Sequence, residues 1–275
     1  MNVRGFSYIG FTVCALCISV LLTSGSAPAN SVTFFDVWQG DAALITTGEK
    51  KHILIDSGPR GAVLPALAKE LPILKNTLEL IILTHPDLDH IGAFPEILDR
   101  YSIGAALLPA IADTLTEYQS TINTLHDRHI PIIFADPAVD IRIDNVILDT
   151  LWPPARALAD RGNNNRSLVI RAQYPCGSVL FTGDIEGDAE AEILRTGIVL
   201  QANILKVAHH GSKTSSSTGF LLTVHPNIAV ISSGKRNPYG HPHPQTLDRF
   251  MALGIHIKRT DREGSLTLDL QECSS

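Results

Sequence analysis

Leu80-Ile81-Ile82-Leu83-Thr84-His85-Pro86-Asp87-Leu88-Asp89-His90 is the stretch on which the reading of the whole chain turns. Its first half is an aliphatic run of strand length, and its second half sets two imidazoles and two carboxylates within six positions. A buried strand ending in such a cluster outlines a metal site, because a turning loop can aim all four side chains into one pocket. A solvated acidic loop after a strand would leave the same short trace. The grammar recurs, however: Val179-Leu180-Phe181-Thr182-Gly183-Asp184 and Ile204-Leu205-Lys206-Val207-Ala208-His209-His210-Gly211 also pass from an apolar strand to a ligand-type residue.

With 275 residues, 44% hydrophobic and 18% charged, the chain suits a single globular domain of the larger sort, expected over 31–270 with a short tail at 271–275. Residues 1–29 are set apart from it. Arg4 precedes an uncharged apolar run and Ala27-Pro28-Ala29 offers a small-residue cleavage site, the pattern of a signal peptide or an N-terminal anchor. The expected location is therefore periplasmic or extracellular. Without Arg4 there are 21 basic against 28 acidic side chains, a net charge of about −7 that repels nucleic acid overall. A polyanion would need a local basic patch, for which Lys206, Lys213, Lys235, Arg236 and Arg166 are the candidates near the site loops. Beyond the leader, Cys176 and Cys273 can pair in an oxidising compartment or stay free.

Strands interrupted by Gly40-Asp41 and Gly48-Glu49 read as an antiparallel meander, after which strands alternate with helices expected at 63–71, 93–100, 114–128, 186–195 and 244–253. Leu115, Tyr118, Ile122 and Leu125 mark one face of the third helix as core. Every ligand-type residue falls at a strand end. Two mixed sheets packed face to face, with helices outside and the site on the edge where strand ends converge, are the expected α/β architecture.

Asp56 after a strand, Thr84-His85-x-Asp87-x-Asp89-His90, Thr182-Gly183-Asp184 and His209 after a strand, in that order, resemble the metallo-β-lactamase superfamily. Its H-x-H-x-D-H pattern carries Asp87 here in place of the second histidine. That exchange, with Gln39-Gly40-Asp41 and Tyr239-Gly240-His241-Pro242-His243-Pro244, is similar to the C-terminal hydrolase domain of the DNA-internalisation competence protein ComEC. The resemblance implies an αββα sandwich and two divalent ions, zinc or manganese. It puts His85, Asp87 and Asp184 on one ion, and Asp89, His90, Asp184 and His209 on the other. Asp184 would bridge, with Gly183 letting the backbone pass close to the ions, and Asp56 would orient an imidazole from behind. The histidine usual before the bridging aspartate is absent, and Asn163-Asn164-Asn165-Arg166-Ser167 stands there, which brings Asn165 into the candidate catalytic set with His210, His241 and Asp56. Trp38 stands where the subgroup tends to have glycine.

Two ions of this kind hold a water as hydroxide and polarise an ester, so no protein nucleophile is needed. The expected function is an exported metal-dependent phosphodiesterase or nuclease, with single-stranded DNA as the first candidate substrate, in DNA uptake or processing. No multi-span membrane region is expected in this stretch. A lactam or lactone hydrolase of the same superfamily and a non-catalytic metal-binding homologue are the rival readings. Tyr239 is the one aromatic stacking candidate. The Ser212–Ser217 run reads as a solvated loop, and His243 as the start of a helix.

Overall fold

A computed structural model describes residues 30–71, 76–153 and 162–270. The leader at 1–29, the tail at 271–275 and Cys273 lie outside the described residues. The first half of the chain comprises β1 (Ser31–Phe34), β2 (Ala43–Thr46), β3 (His52–Ile55), α1 (Leu64–Glu70), β4 (Thr77–Leu78), β5 (Leu80–Ile82), α2 (Leu88–Ile91), α3 (Phe94–Arg100), β6 (Ser102–Ile103), β7 (Ala106–Leu108), α4 (Thr116–Asp127) and β8 (Ile132–Phe134). The second comprises β9 (Asp140–Ile143), β10 (Val146–Trp152), β11 (Val169–Tyr174), β12 (Gly177–Phe181), α5 (Gly187–Thr196), β13 (Ile204–Lys206), α6 (Thr218–Val224), β14 (Ile228–Ile231), α7 (Pro244–Ala252), β15 (His256–Arg259), α8 (Thr260–Glu263) and β16 (Leu266–Asp269).

These strands form two seven-stranded mixed sheets, β16-β1-β2-β3-β5-β7-β8 and β15-β14-β13-β12-β11-β10-β9. In each, an antiparallel half meets a parallel half, at β3/β5 in the first and β12/β13 in the second. The sheets face each other through Phe34, Ile45, Ile53, Ile82, Ile170, Val179, Phe181 and Val230, with the Phe34 and Phe181 rings 6.0 Å apart. Leu44, Leu54 and Ile81 point the other way, under Leu67, Ile97 and Leu125 of the outer helices. Leu180, Leu205 and Ile231 do the same under Ile193, Leu221 and Phe250. Burial on both faces is why the central strands read as unbroken aliphatic runs and not as alternating ones. Two sheets with helices outside, in one domain, are the architecture the sequence leads one to expect.

Two local features differ from expectation. The stretch after His85 is a helical turn: Asp87 is the N-cap of α2, and Asp89 and His90 lie on the helix. The Ser212–Ser217 segment is solvated only at Lys213 and Thr214 and in part at Ser217. Ser212, Ser215 and Ser216 are buried, Glu190 accepts the Ser216 and Ser217 backbone N–H groups, and Arg249 donates to the carbonyls of Lys213, Ser215 and Ser216. A buried loop must pair its backbone polar groups, and two long charged side chains do so here. Strand β16 pairs with β1 at the edge of the first sheet. Cys176, in the turn between β11 and β12, is disulfide-bonded. Among the described residues no helix is long and apolar enough to cross a membrane.

Candidate metal centre

The segments that follow β3, β5, β12 and β13 carry Asp56, the His85–His90 segment, Asp184 and His209-His210. These strands lie at or next to the place where each sheet changes from antiparallel to parallel, so four chain segments converge on one edge of the sandwich. The floor of the cluster is buried: His85, His90, Asp184 and His210 are each at most 3% exposed. Asp87, Asp89 and His209 form a partly open rim.

Hydrogen bonds fix which ring nitrogens face inward. Asp56 accepts from the Thr84 backbone N–H at 2.8 Å and from the Thr84 hydroxyl at 2.7 Å, and its Oδ2 lies 2.8 Å from His90 Nδ1. A carboxylate only accepts, so His90 Nδ1 is the donor and Nε2 is left to face Asp184 Oδ1 at 3.3 Å. The Thr84 hydroxyl has spent its proton on Asp56. It therefore accepts from His85 Nδ1 at 3.1 Å, and His85 Nε2 points to Asp87 Oδ2 at 3.6 Å. His210 Nδ1 lies 3.0 Å from the Ser232 carbonyl, which leaves Nε2 facing Asp89 Oδ2 at 3.1 Å and Asp184 Oδ2 at 3.5 Å. Three imidazole Nε2 atoms thus turn toward carboxylate oxygens, and acceptors facing acceptors require a cation between them. His85 Nε2, His90 Nε2 and Asp184 Oδ1 are buried without a hydrogen-bond partner, which fits the donor set to a metal.

At His210 and His90 a proton fills this role in the metal-free chain. Burial opposes charge on His210, but the Asp184 and Asp41 carboxylates outweigh it and hold the ring at about 10. Burial likewise opposes charge on His90, yet Asp184 and Asp56 raise it well above the usual imidazole range. Asp184 is held well below the carboxylate range, the His210 and His90 charges overcoming its burial. Burial and the neighbouring His209 and His210 rings push His241 down to about 4.

The structure therefore brings His85, Asp87, Asp89, His90, Asp184 and His210 together. His209 stands further off, its Nε2 3.9 Å from Asp184 and its Nδ1 3.3 Å from Glu186. Of the four candidate metal-holding groups among the described residues, two contain His210 and none contains His209. Both residues have positive φ, 50° and 53°, and it is this left-handed turn that swings the second imidazole inward. The His241 ring sits 5.5 Å from that of His209 and 6.4 Å from that of His210. His243 caps α7, accepting from the Gln245 backbone N–H. Asn165 is engaged away from the cluster, its side-chain oxygen accepting from the Glu186 backbone N–H at 2.9 Å; Asn163 instead donates to Asp87 Oδ1 at 3.0 Å.

Lys206 is not part of an open basic patch. It is 3% exposed, and its Nζ lies 2.6 Å from Asp41 Oδ2, the other oxygen of which is 3.2 Å from His210 Nδ1. Burial alone would raise the Asp41 pKa, but Lys206 and His210 bring it below the usual range. Gly183, at φ 48°, leaves room for Ser167 and Thr84: a Cβ there would stand 2.6 Å from Ser167 Cβ. Asp41, Glu186 and the Ser232 carbonyl are partners that the sequence did not single out, and only the recurrent Gln39-Gly40-Asp41 pattern hinted at the first.

Residues 35–235 match the model of the Metallo-beta-lactamase superfamily. The chain is 32% identical over 265 residues to Recombination protein 2 of Haemophilus influenzae, covering 94% of this chain and 31% of that protein. It is 30% identical over 271 residues to Competence protein ComA of Neisseria gonorrhoeae, covering 97% and 36%. The chain spans about a third of the length of the curated relatives it matches. Among solved structures, the metallo-beta-lactamase fold protein YhfI from Bacillus subtilis superposes with a TM-score of 0.62 at 12% identity, covering 87% of this chain and 99% of that one.

Proposed function

Because this chain belongs to the metallo-beta-lactamase superfamily, we propose that it is a two-metal phosphodiesterase that cuts DNA, single-stranded DNA foremost, outside the cytoplasm. The observation that carries this is the inward-facing donor set, in which three imidazoles (His85, His90, His210) are matched by three carboxylates (Asp87, Asp89, Asp184). Such an oxygen-rich set suits manganese or zinc and leaves room for a phosphate oxygen. His85, Asp87 and Asp184 would hold one ion, and Asp89, His90, Asp184 and His210 the other, with His210 taking the place that the sequence assigned to His209. When bound, the ions supply Lewis acidity at a phosphoryl oxygen and lower the pKa of an attacking water.

The chain's own residues do the remainder. Asp56 and the Ser232 carbonyl keep the His90 and His210 rings turned so that Nε2 faces the centre, and Asn163 steadies Asp87. His241, whose ring lies 5.5 Å from that of His209 beside the cluster, is the candidate to assist the expelled alkoxide. Relatives named for recombination and competence support DNA as the substrate, and the leader-like residues 1–29 support export. The test is hydrolysis of fluorescent single-stranded DNA by metal-stripped protein given manganese, zinc or magnesium, with Asp184→Asn as control. Cleavage restored by one ion and lost in the variant is the expected result. Turnover of a lactam or lactone, with no phosphodiester cleaved under any ion, would overturn the reading.

A further inference from the structure

Two aromatic side chains stand at the rim of the cluster although packing gives them little cover: Trp38 is 55% exposed and Tyr239 66%. Neither is loosely hung. Trp38 has φ 67°, a left-handed conformation that is disfavoured for a bulky residue and natural to glycine. Its backbone N–H donates to Asp36 Oδ1 at 3.1 Å, and the edge of its indole lies against Gly234, where an added Cβ would come within 3.1 Å of Cδ1 and Nε1. The next residue, Gln39, accepts the Gly234 backbone N–H at 3.0 Å. Two residues further, the Asp41 backbone N–H donates to the Asp89 carbonyl at 3.0 Å, so the indole is one short loop away from the donor set.

Tyr239 reaches the cluster from the other end of the segment that starts at Gly234. Its ring stacks on His241, with centroids 5.9 Å apart and planes inclined by 27°. Asn237 braces the segment, donating to the Gly234 and His241 carbonyls and accepting from the Tyr239 and His241 backbone N–H groups. Lys235 and Arg236, on the same segment, are exposed. The braced segment thus carries Tyr239 near one end and meets the Trp38 indole at Gly234, its other end, with two cations between them.

We propose that Trp38 and Tyr239 are stacking platforms for unpaired bases flanking the scissile bond, with Lys235 and Arg236 meeting the adjoining phosphates, so that the site selects single-stranded over duplex nucleic acid. The inference rests on the phosphodiesterase reading above. Every base has a π-face that stacks on an aromatic ring, and in a duplex those faces are already covered by neighbouring bases. Each platform would contribute roughly 5- to 150-fold in affinity.

The test uses metal-free protein and a short oligodeoxythymidylate. The other tryptophan, Trp152, is 2% exposed, so quenching of the accessible emission reports Trp38. Saturable quenching that weakens with salt is expected, together with much weaker binding of a duplex. By anisotropy with a labelled oligonucleotide, Trp38→Gly, which relieves the backbone as it removes the ring, should lose at least about fivefold in affinity while its Tm is unchanged or higher. Trp38→Phe should recover part of that loss, and Tyr239→Ala should lower kcat/KM for the oligonucleotide by more than for bis(p-nitrophenyl) phosphate. Equal affinity of Trp38→Gly and wild type, or equal binding of duplex and single strand, overturns the inference and leaves the phosphodiesterase reading standing. Failure of the loaded wild type on both the oligonucleotide and the small diester overturns both.

Discussion

Asp56 Oδ2 lies 2.8 Å from His90 Nδ1, and the same carboxylate receives both the backbone and the hydroxyl proton of Thr84. One buried side chain thereby sets the tautomer of His90 directly and that of His85 through the Thr84 hydroxyl. Asp56→Asn keeps the shape but weakens the acceptor, and metal affinity should fall about 10- to 100-fold with the fold retained. Competition with a chromophoric chelator measures it; an unchanged dissociation constant would leave Asp56 a purely structural role.

Metal uptake should release protons. In the metal-free chain His210 holds its proton up to about 10 and His90 holds its own well above the usual range, so at neutral pH an ion must displace them. Both pKa values are raised, so the proton competes more strongly as pH falls, and apparent affinity rises with pH up to the His210 value. Calorimetry in buffers of different ionisation enthalpy should give heats that differ by about one buffer ionisation or more for the ion held by His90 and His210. Heats independent of the buffer would contradict this.

The Lys206–Asp41 pair is buried on both sides, at 4% and 7% side-chain exposure. Lys206→Met should cost ~3–5 kcal/mol because it strands a buried carboxylate. Adding Asp41→Asn should return part of the loss, since the two effects are not additive across a contact. Denaturant titration of the two single variants and the double variant checks both statements.

Asn163 and Asn165, two residues apart, should separate cleanly. Asn165→Ala removes a bond to the Glu186 backbone N–H and should lower stability by about 1 kcal/mol. Asn163→Ala frees Asp87 and should weaken metal binding while leaving Tm nearly untouched. Melting curves and metal titrations side by side would show whether the two losses fall as stated.

The aliphatic strands, the two-sheet sandwich and the helices over it were legible in the sequence, because both periodicity and burial on two faces leave local traces. Helix α4 lies at Thr116–Asp127, inside the expected 114–128, with Tyr118 and Leu125 buried as its stripe requires. His85, Asp87, Asp89, His90 and Asp184 were visible because each follows a strand. What could not be read is set by contacts distant along the chain. Whether His209 or His210 turns inward depends on two left-handed residues, and nothing in a pair of adjacent histidines says which ring faces the floor. Lys206 looked like a surface cation until Asp41, 165 positions away, was found beside it. The Ser212–Ser217 run has the composition of an exposed loop, and Glu190 and Arg249, reaching in from α5 and α7, help make its burial tolerable.

Strand β16 closes the edge of the first sheet by pairing with β1, Ser31 opposite Asp269 and Phe34 opposite Leu266. Until the chain has been made to that point, β1 has an open edge, and the sheet that carries Asp56 and His85 lacks its outermost strand. Folding that must join residues so far apart is slow to nucleate, since the loop to be closed is nearly the whole domain. The consequence concerns timing: every donor from His85 to His210 precedes β16 in the chain, so the sheet that carries Asp56 and His85 keeps an open edge at β1 until that strand is added.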